Sequence, residues 1–325
     1  MLHLRMIVPA DRTEAAVALI DRTVGTTHVV VLPGAAREPA GDVVMCDVAR
    51  EAGHELINGM RDLKIDQDGS IAVDDIDLTL SQRATAAEEE APGEAADAVL
   101  WEQLTDATHE ESTLTITYSA FMILATMIAA CGVVLDNAIL IVGAMAVGPE
   151  FGPLAGICTG IVRRSAKLVL RSSYALVVGF AAAIVATTVF SLGMDALGLF
   201  SVDKLDAPRV NTGFIWKPDP FSFVVALLAG AAGTLSLTST KSGALIGVAI
   251  SVTTVPAAAN AAVALSYRQY GQMWGSVEQL ALNLTGIILA GTVTLFGQVL
   301  LWRTQRGHWV RKAKGGDGGA SGEAR

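Results

Sequence analysis

The stretch that decides the fold is Gly143-Ala-Met-Ala-Val-Gly-Pro-Glu-Phe-Gly-Pro-Leu154, near the middle of the chain. It belongs to an apolar segment, residues 138–162, that is long enough to cross the roughly 30 Å hydrocarbon core of a bilayer. Its two prolines each remove a backbone N–H and clash with the preceding turn, so we expect a broken helix here. Glu150 lies between them, about 18 Å along the segment at about 1.5 Å per residue. A carboxylate at that depth is costly unless it is protonated, paired or hydrated, which makes Glu150 a candidate functional group.

Five more apolar segments of comparable length follow or precede this one, and together they predict six membrane spans. The predicted spans are about 113–135, 138–162, 167–192, 221–240, 242–266 and 277–302. Trp216, Trp274 and Trp302 fall at or near span ends, where interfacial aromatic residues are expected. The sequence therefore predicts an all-α polytopic membrane domain over residues 112–303.

Lys and Arg predict the orientation of these spans. Arg163, Arg164, Lys167 and Arg171 lie between the second and third spans, Lys241 lies between the fourth and fifth, and a basic tail follows the sixth. By the positive-inside rule these regions are cytoplasmic, so we expect both termini in the cytoplasm. A composition rich in Ala, Val, Asp and Gly favours a bacterial source, so the expected location is the cytoplasmic (inner) membrane.

The fifth span contains a second interruption, around Pro256. A shift of 105 residues aligns Leu140-Ile141 with Leu245-Ile246, and the first and fourth spans begin about 108 residues apart. Three spans per repeat give the two repeats opposite orientations. The pattern therefore predicts a 3+3 inverted repeat with the second and fifth spans broken, an architecture of transporters and channels.

Helix breaks free backbone N–H and C=O groups, which membranes tolerate only where they face protein or water. We therefore predict a solute or ion pathway at the two breaks. Its primary candidate residues are Gly148, Pro149, Glu150, Gly152, Pro153, Thr253, Thr254, Pro256 and Asn260. The secondary candidates are Asp136, Asn137, Thr240, Lys241 and Asn283. Structural roles are the alternative: a packing kink for the Pro/Gly run, a cap or turn at 136–137, an interfacial anchor at 240–241, and interhelical hydrogen bonds for the two span asparagines.

Charge divides the chain into two unlike parts. Charged residues make up 17% of the chain, against about 25% in soluble domains. Residues 1–111 carry 23 acids and 8 bases, a net charge of −15, whereas residues 112–325 carry 9 acids and 15 bases, a net charge of +6. Nucleic-acid binding is not expected, because no basic patch is interleaved with aromatic residues.

Neither catalysis nor a metal is expected. The three cysteines are isolated, and all five histidines lie outside the apolar segments, so we expect no metal and no cofactor. The chain has no Walker A loop, no Gly-x-Ser-x-Gly elbow and no pair of intramembrane aspartates. We therefore expect no enzymatic activity, and a membrane enzyme acting on lipid-linked substrates is the least favoured hypothesis.

The acidic front predicts a small α+β domain. Strands are predicted at 2–8, 26–32, 42–48 and 70–76, and helices at 12–22 and 49–63. This β-α-β-β-α-β order is the ferredoxin-like pattern, predicted for residues 1–78. Residues 79–111 are predicted as an acidic linker and juxtamembrane helix, and residues 304–325 as a basic, Gly-rich disordered tail.

The run Ile141–Leu154, with Leu-Arg-Met-Ile-Val-Pro9 near the start and Arg163-Arg164, resembles a family of bacterial and archaeal membrane proteins, domain of unknown function 389. The likeness covers nearly the whole chain. It implies a multi-span membrane domain behind a cytoplasmic domain, and no established activity or substrate comes with it.

These observations lead to two function hypotheses. The first is a transporter or channel for a small polar solute or ion, in which the cytoplasmic domain regulates or assembles the protein. The second is a membrane sensor or scaffold that transports nothing, whose cytoplasmic domain binds a ligand or a partner protein. Under either hypothesis we expect a homo-oligomer in a lipid bilayer, because Gly/Ala-rich spans pack closely and small α+β domains often pair their sheets.

Overall fold

The computed structural model describes residues 1–91, 104–105, 108, 111–238 and 244–316. The chain divides into two compact units. The N-terminal unit comprises Met1–Trp101 together with Leu301–Arg325, and the helical unit comprises Glu102–Leu300.

The N-terminal unit is built around a four-stranded antiparallel sheet with the strand order β2-β3-β1-β4. Its elements along the chain are β1 Leu2–Val8, α1 Thr13–Arg22, β2 Thr26–Arg37, β3 Ala40–Val48, α2 Arg50–Asp62, α3 Ile65–Asp68, β4 Ser70–Asp75 and α4 Gln82–Glu90. The order of the first seven follows the predicted pattern, with the one-turn helix α3 added before β4.

One face of this sheet forms the core of the unit. Alternate residues of β1 and β3 point inward, as the two-residue period of a strand requires. They pack against buried side chains of α1 and α2. The fully buried members include Leu2, Leu4, Met6, Val44, Cys46, Ile20, Leu56 and Met60. Burial, and to a smaller extent the charge of Asp47, raises the pKa of Cys46 to about 12, so this thiol is inert at neutral pH.

Strand β2 continues five residues past its predicted end. Pro33 and Gly34 were expected to stop it at Leu32, but pairing with β3 extends to Arg37. Proline is tolerated because β2 is an edge strand, and the pairing shifts register between Leu32 and Ala36. The N–H of Gly34 donates to Asp42 Oδ1 at 2.7 Å, and this bond stabilises the irregular turn.

A helix occupies part of the segment that was predicted as a solvated linker. The Ser81 hydroxyl caps α4 by accepting a hydrogen bond from Ala84 N–H. The amino terminus of Met1 forms an ion pair with Glu88 at 3.1 Å. The helix therefore packs as part of the N-terminal unit, while residues 92–103 lie outside the described part of the chain.

Nine α-helices are described from Ile116 onward, of which the helical unit holds eight completely and the ninth up to Leu300. They are α5 Ile116–Val134, α6 Ala138–Val147, α7 Phe151–Val162, α8 Ala166–Ala196, α9 Val202–Asp206, α10 Pro220–Thr238, α11 Ala244–Ser251, α12 Thr254–Ser266 and α13 Tyr270–Gly316. The last helix runs past the boundary predicted at residue 303.

Four of the described helices, α5, α8, α10 and α13, are long and apolar enough to cross a membrane. The pair α6 and α7, bent by 52° at its break, would make a fifth. The segment predicted as the fifth of six spans consists of two shorter helices, α11 and α12. By length and composition the described residues thus provide four or five candidate spans, which indicates a multi-pass membrane protein, and they do not confirm six.

Several helix boundaries recur 104 residues further along the chain. Helices α5 and α10 both have 19 residues and start 104 residues apart. Helices α7 and α12 end 104 residues apart, and α8 and α13 start 104 residues apart. Arg164 and Arg268, in the turns between these helices, both adopt positive φ. The structural offset is therefore 104, which corrects the shift of 105 inferred from apolar residues.

We predict that Gly230→Ala destabilises the helical unit. A Cβ at Gly230 in α10 would lie 2.6 Å from the carbonyl oxygen of Ile287 in α13, a backbone atom that cannot rotate away. Overpacking of this kind costs about 1–3 kcal/mol. Thermal unfolding in detergent should show a lower Tm. Gly297→Ala in α13 is the matched control, because its Cβ would meet nothing within 4 Å, and its Tm should stay equal or rise. Equal Tm changes in the two variants would contradict this packing.

Candidate functional site

The interruption between α6 and α7 is centred on Gly148. The N–H of Gly148 completes the last turn of α6 on Ala144, after which its backbone becomes extended. A Cβ at this position would lie 2.3 Å from Glu150 Oε2 and 2.8 Å from Val255 Cγ2. A larger residue here would have to displace the Glu150 carboxyl group or the Val255 side chain.

Glu150 is buried at this break. It is 3% exposed, and its Oε1 accepts a hydrogen bond of 2.7 Å from the hydroxyl of Thr254. Its Oε2 is also buried and has no hydrogen-bond partner within the described residues. A buried carboxyl with only one oxygen satisfied is costly in either protonation state. This group is therefore poised to accept a proton or a cation at Oε2.

Two helix N-termini meet at this carboxyl group. Glu150 directly precedes the first residue of α7, and Thr254 is the first residue of α12. The N-terminal end of a helix carries a partial positive charge, which favours an anion beside it. Burial disfavours the ionised form and the helix ends favour it, so the site balances two opposing effects.

Proline residues do not disturb these two helices because both lie in the first turn. Pro153 is the third residue of α7 and Pro256 the third of α12, and both are buried. First-turn N–H groups have no partner within a helix, so a missing donor costs nothing there. Gly152 is packed so closely that its Cβ would lie 2.6 Å from Glu111 Cβ.

A small cavity of about 10 Å³ adjoins Glu150. Its lining residues are Glu150, Phe151, Leu154, Val248, Val252, Thr254 and Ile287. This volume is close to the minimum that holds one water molecule. The immediate surroundings of the carboxyl group are therefore tightly packed and mostly apolar.

The second break, between α11 and α12, places Thr253 beside Asn283 of α13. The side-chain amide of Asn283 donates to Thr253 Oγ1 at 3.0 Å, and Gln279 donates to Asn283 Oδ1 at 3.5 Å. Asn283 is 1% exposed. Two predicted site residues thus form a polar chain that continues along α13 to Gln279, a residue the sequence interpretation missed.

Asn260 lies in a different network. Its Oδ1 accepts from Arg209 at 2.7 Å, and its amide donates to Ser276 Oγ at 2.7 Å. Arg209 also donates to Gln272 at 2.7 Å. These bonds join α12, α13 and the loop before α10, which agrees with the interhelical alternative weighed for Asn260. Arg209 was missed because a loop arginine carries no sequence signal for a partner in a distant helix.

Asp136 and Asn137 form the turn between α5 and α6. Asn137 caps α6, its side-chain oxygen accepting from the N–H groups of Ile139 and Leu140. Asp136 has φ +47°, and its carboxylate accepts hydrogen bonds from the loop residues Val210, Asn211 and Thr212. Asn137 thus caps a helix and Asp136 stabilises a turn, the structural roles given above as the alternative.

Two secondary candidates, Thr240 and Lys241, lie outside the described residues. Within the described part of the chain, no group of three or more His, Cys, Asp or Glu side chains is arranged to hold a metal ion.

The N-terminal unit contains a separate polar cluster that the sequence interpretation did not single out. The two oxygens of Asp47 contact His3 Nδ1 and His28 Nδ1, each at 2.7 Å, and His28 Nε2 contacts Ser81 Oγ at 2.9 Å. These residues come from β1, β3, β2 and the start of α4. Strand pairing is needed to bring them together, so the sequence alone gives no local motif.

The apolar helices and the buried carboxyl at a helix break define a polytopic membrane protein. Residues 145–289, the part of the chain that holds both breaks, match the family described as a domain of unknown function (DUF389). This confirms the resemblance read from the Gly148–Pro153 motif, although the match spans residues 145–289 rather than nearly the whole chain.

A curated relative is an uncharacterized protein of Methanocaldococcus jannaschii. It is 26% identical over 207 residues, which cover 62% of this chain and 62% of the relative. The chain thus matches less than two thirds of the relative's length. No solved structure matches the chain.

We predict that the turn at Asp136 stabilises the helical unit in a pH-dependent way. Burial acts to raise the pKa of Asp136, but hydrogen bonds from Thr212, Asn211 and Val210 outweigh it and lower the pKa below 3.8. A carboxyl whose pKa falls on folding stabilises above its unfolded pKa and loses this effect as the pH drops through the folded pKa. Asp136→Asn should therefore lower the Tm at pH 7, and the difference from wild type should shrink below about pH 4.

The measurement is thermal unfolding in detergent across this pH range. Asp203→Asn, an exposed position in α9, is the control and should leave the Tm unchanged. A Tm deficit of Asp136→Asn that is the same at pH 7 and pH 3.5 would argue against the charge of Asp136 as the cause.

Proposed function

We propose that this chain is a membrane transport protein, a transporter or channel, for a small polar solute or ion. The observation that carries the proposal is the 2.7 Å hydrogen bond between Glu150 and Thr254 at the meeting point of two helix breaks. Ionisable groups buried among apolar helices are costly and mark ion and proton pathways. Broken helices are also where transporters bind their solutes.

The proposed architecture is six spans in a 3+3 inverted repeat, with α6–α7 and α11–α12 as the broken second and fifth spans. The offset of 104 residues supports it, because Glu150 and Thr254 are themselves 104 residues apart. Equivalent positions touch each other only at a two-fold axis, so the axis of the proposed repeat passes between these two side chains.

A second set of contacts supports the same axis. Cys158 Sγ of α7 donates to the carbonyl of Ile288 in α13 at 3.5 Å, and Thr188 Oγ1 of α8 donates to the carbonyl of Ala262 in α12 at 3.3 Å. Cys158 and Ala262 are 104 residues apart. The contact of α7 with α13 is thus repeated by the contact of α12 with α8, as a two-fold relation requires.

In this proposal the N-terminal unit has a ferredoxin-like fold and regulates or assembles the protein. The strand order β2-β3-β1-β4 with antiparallel neighbours supports this fold. The basic turn at Arg163–Arg164 and the basic C-terminal region favour cytoplasmic termini. A homo-oligomer remains part of the proposal, since Gly-rich helix faces favour close packing.

Glu150 is the group that carries the chemistry in this mechanism. Its unpaired Oε2 takes up a proton or a cation, and Thr254 holds Oε1 so that the carboxyl group keeps its orientation. The helix N-termini of α7 and α12 stabilise the anion once the proton or ion has left.

We predict that Glu150→Gln abolishes flux. The substitution keeps the shape of the side chain and removes its ability to ionise, so release and uptake at Oε2 are lost. Purified protein in proteoliposomes is assayed with radioactive sodium, radioactive rubidium and an internal pH dye. Glu278→Gln, an exposed glutamate of α13, is the control and should retain wild-type flux. Wild-type flux in Glu150→Gln would remove this carboxyl group from the mechanism.

A sensor or scaffold is the second candidate function. The cluster of Asp47 with His3 and His28 favours it, since it places titratable groups in the N-terminal unit, and so does the tight packing around Glu150. Under this hypothesis folded wild-type protein gives no flux above empty liposomes for any of the three probes. Flux that depends on Glu150 would exclude it.

A further inference from the structure

A larger cavity, of about 260 Å³, lies at the second helix break. One side of the cavity is lined by Phe214 and Asp219, which precede α10, and by the first turns of α10. The other side is lined by the break between α11 and α12. Its lining residues are Phe214, Asp219, Phe221, Ser222, Val225, Ser251, Val252, Thr253 and Asn283. Val252 also lines the small cavity beside Glu150, so the two spaces share this lining residue.

Oxygen atoms dominate the polar lining of this cavity. Ser251 and Thr253 provide hydroxyl groups, and the buried Asn283 provides an amide. Asp219 is the one ionisable residue of the described lining. Hydrogen bonds from the backbone N–H and the hydroxyl of Ser222 lower its pKa, so it is anionic at neutral pH. The lining thus has acceptor oxygens and a negative charge without a balancing Lys or Arg.

The end of α11 adds carbonyl groups, of which that of Val248 accepts from the Ser251 hydroxyl at 2.7 Å and that of Val252 from the Thr254 N–H at 2.9 Å. The last carbonyl groups of a helix lack partners in the helix and carry a partial negative charge. Helix α11 ends at Ser251, and Ser251 and Val252 line the cavity. Half-helix C-terminal ends and unwound carbonyls are the groups that hold small cations in transporters with broken spans.

The equivalent space near the first break is filled. Under the offset of 104, Ser222 corresponds to Tyr118 and Asn283 corresponds to Gly179. Tyr118 is buried, and its ring packs so closely on Gly179 that a Cβ there would lie 2.7 Å from Tyr118 Cε1. The large residue opposite glycine closes the space that serine and asparagine leave open. At these two positions the proposed repeats thus differ, with a tight contact in the first and polar lining residues in the second.

We propose that this cavity is a binding site for a small monovalent cation, which reaches Glu150 past Val252. This deepens the transport function proposed above and rests on it. A single carboxylate with several neutral oxygens suits a monovalent ion, since calcium sites use more carboxylates and magnesium retains several waters. Thr253 and Asn283, which are hydrogen-bonded to each other, are the ligands nearest the break.

The test is thermal stability of the purified full chain in detergent. Sodium, potassium or lithium chloride is titrated against N-methyl-D-glucamine chloride at constant ionic strength. A ligand that binds the native state raises the Tm in a saturable way. We expect wild type to be stabilised by at least one of these ions. Thr253→Val and Asn283→Leu should weaken the apparent affinity about tenfold each, as expected for loss of one polar contact.

Two controls separate binding from folding. Thr253→Ser keeps the hydroxyl and should retain the affinity, and Thr285→Val, an exposed threonine of α13, should behave as wild type. If Asn283→Leu fails to fold, as judged by its Tm without alkali ions, the Thr253 pair decides the result. Absence of any alkali-ion effect on wild type, or equal affinity in Thr253→Val and wild type, would overturn the proposal.

The outcome is independent of the flux assay. Saturable stabilisation without flux would leave the site standing and refute transport. Flux that depends on Glu150, without an alkali-ion effect on stability, would support transport and refute this cavity as its cation site.

Discussion

A buried carboxyl group is tolerated in this protein because the chain surrounds it with helix ends. Glu150 can be 3% exposed only where a hydroxyl donor and the N-termini of two helices offset the loss of water. Those N-termini exist because α6–α7 and α11–α12 are both interrupted at the same place. Gly148 lets the carboxyl group fold back against the break, and the prolines lie where missing N–H groups cost nothing. The interruptions, the glycine and the carboxyl group thus depend on one another, and the long helices pack around them.

The two cavities differ in character, and the difference separates their roles. The space at Glu150 is small and mostly apolar, whereas the space at Thr253 and Asn283 is large and rich in oxygen. A polar cavity thus adjoins a small, mostly apolar one, and Val252 lines both. In the proposed first repeat, Tyr118 packs closely on Gly179 at the positions that correspond to Ser222 and Asn283. In the inverted repeat that we propose, a route open on one side and closed on the other is what one state of an alternating-access protein requires.

Much of this was readable from the sequence, and the remainder depended on tertiary contacts. The Gly/Pro run predicted the break at 148–150 because proline acts through local backbone chemistry. The depth of Glu150 followed from counting residues, but its partner Thr254 did not, since the contact links positions 104 residues apart. Asn260 was grouped with the site although Arg209, from a loop, engages it instead. In the N-terminal unit, Pro33-Gly34 suggested a strand end because edge position in the sheet cannot be read locally.

The contact between Glu150 and Thr254 also bears on the origin of the fold. If the two halves arose by duplication, the ancestor was a symmetric pair of identical chains with the same residue on both sides of the axis. Two glutamates so placed would have faced each other as a carboxyl pair sharing one proton, because like charges in contact cannot both ionise. In a fused chain the two positions can differ, as Glu150 and Thr254 do. In the single chain, the charge at this contact depends on Glu150 alone. A symmetric dimer would carry the same residue on both sides of its axis and could not build such a site.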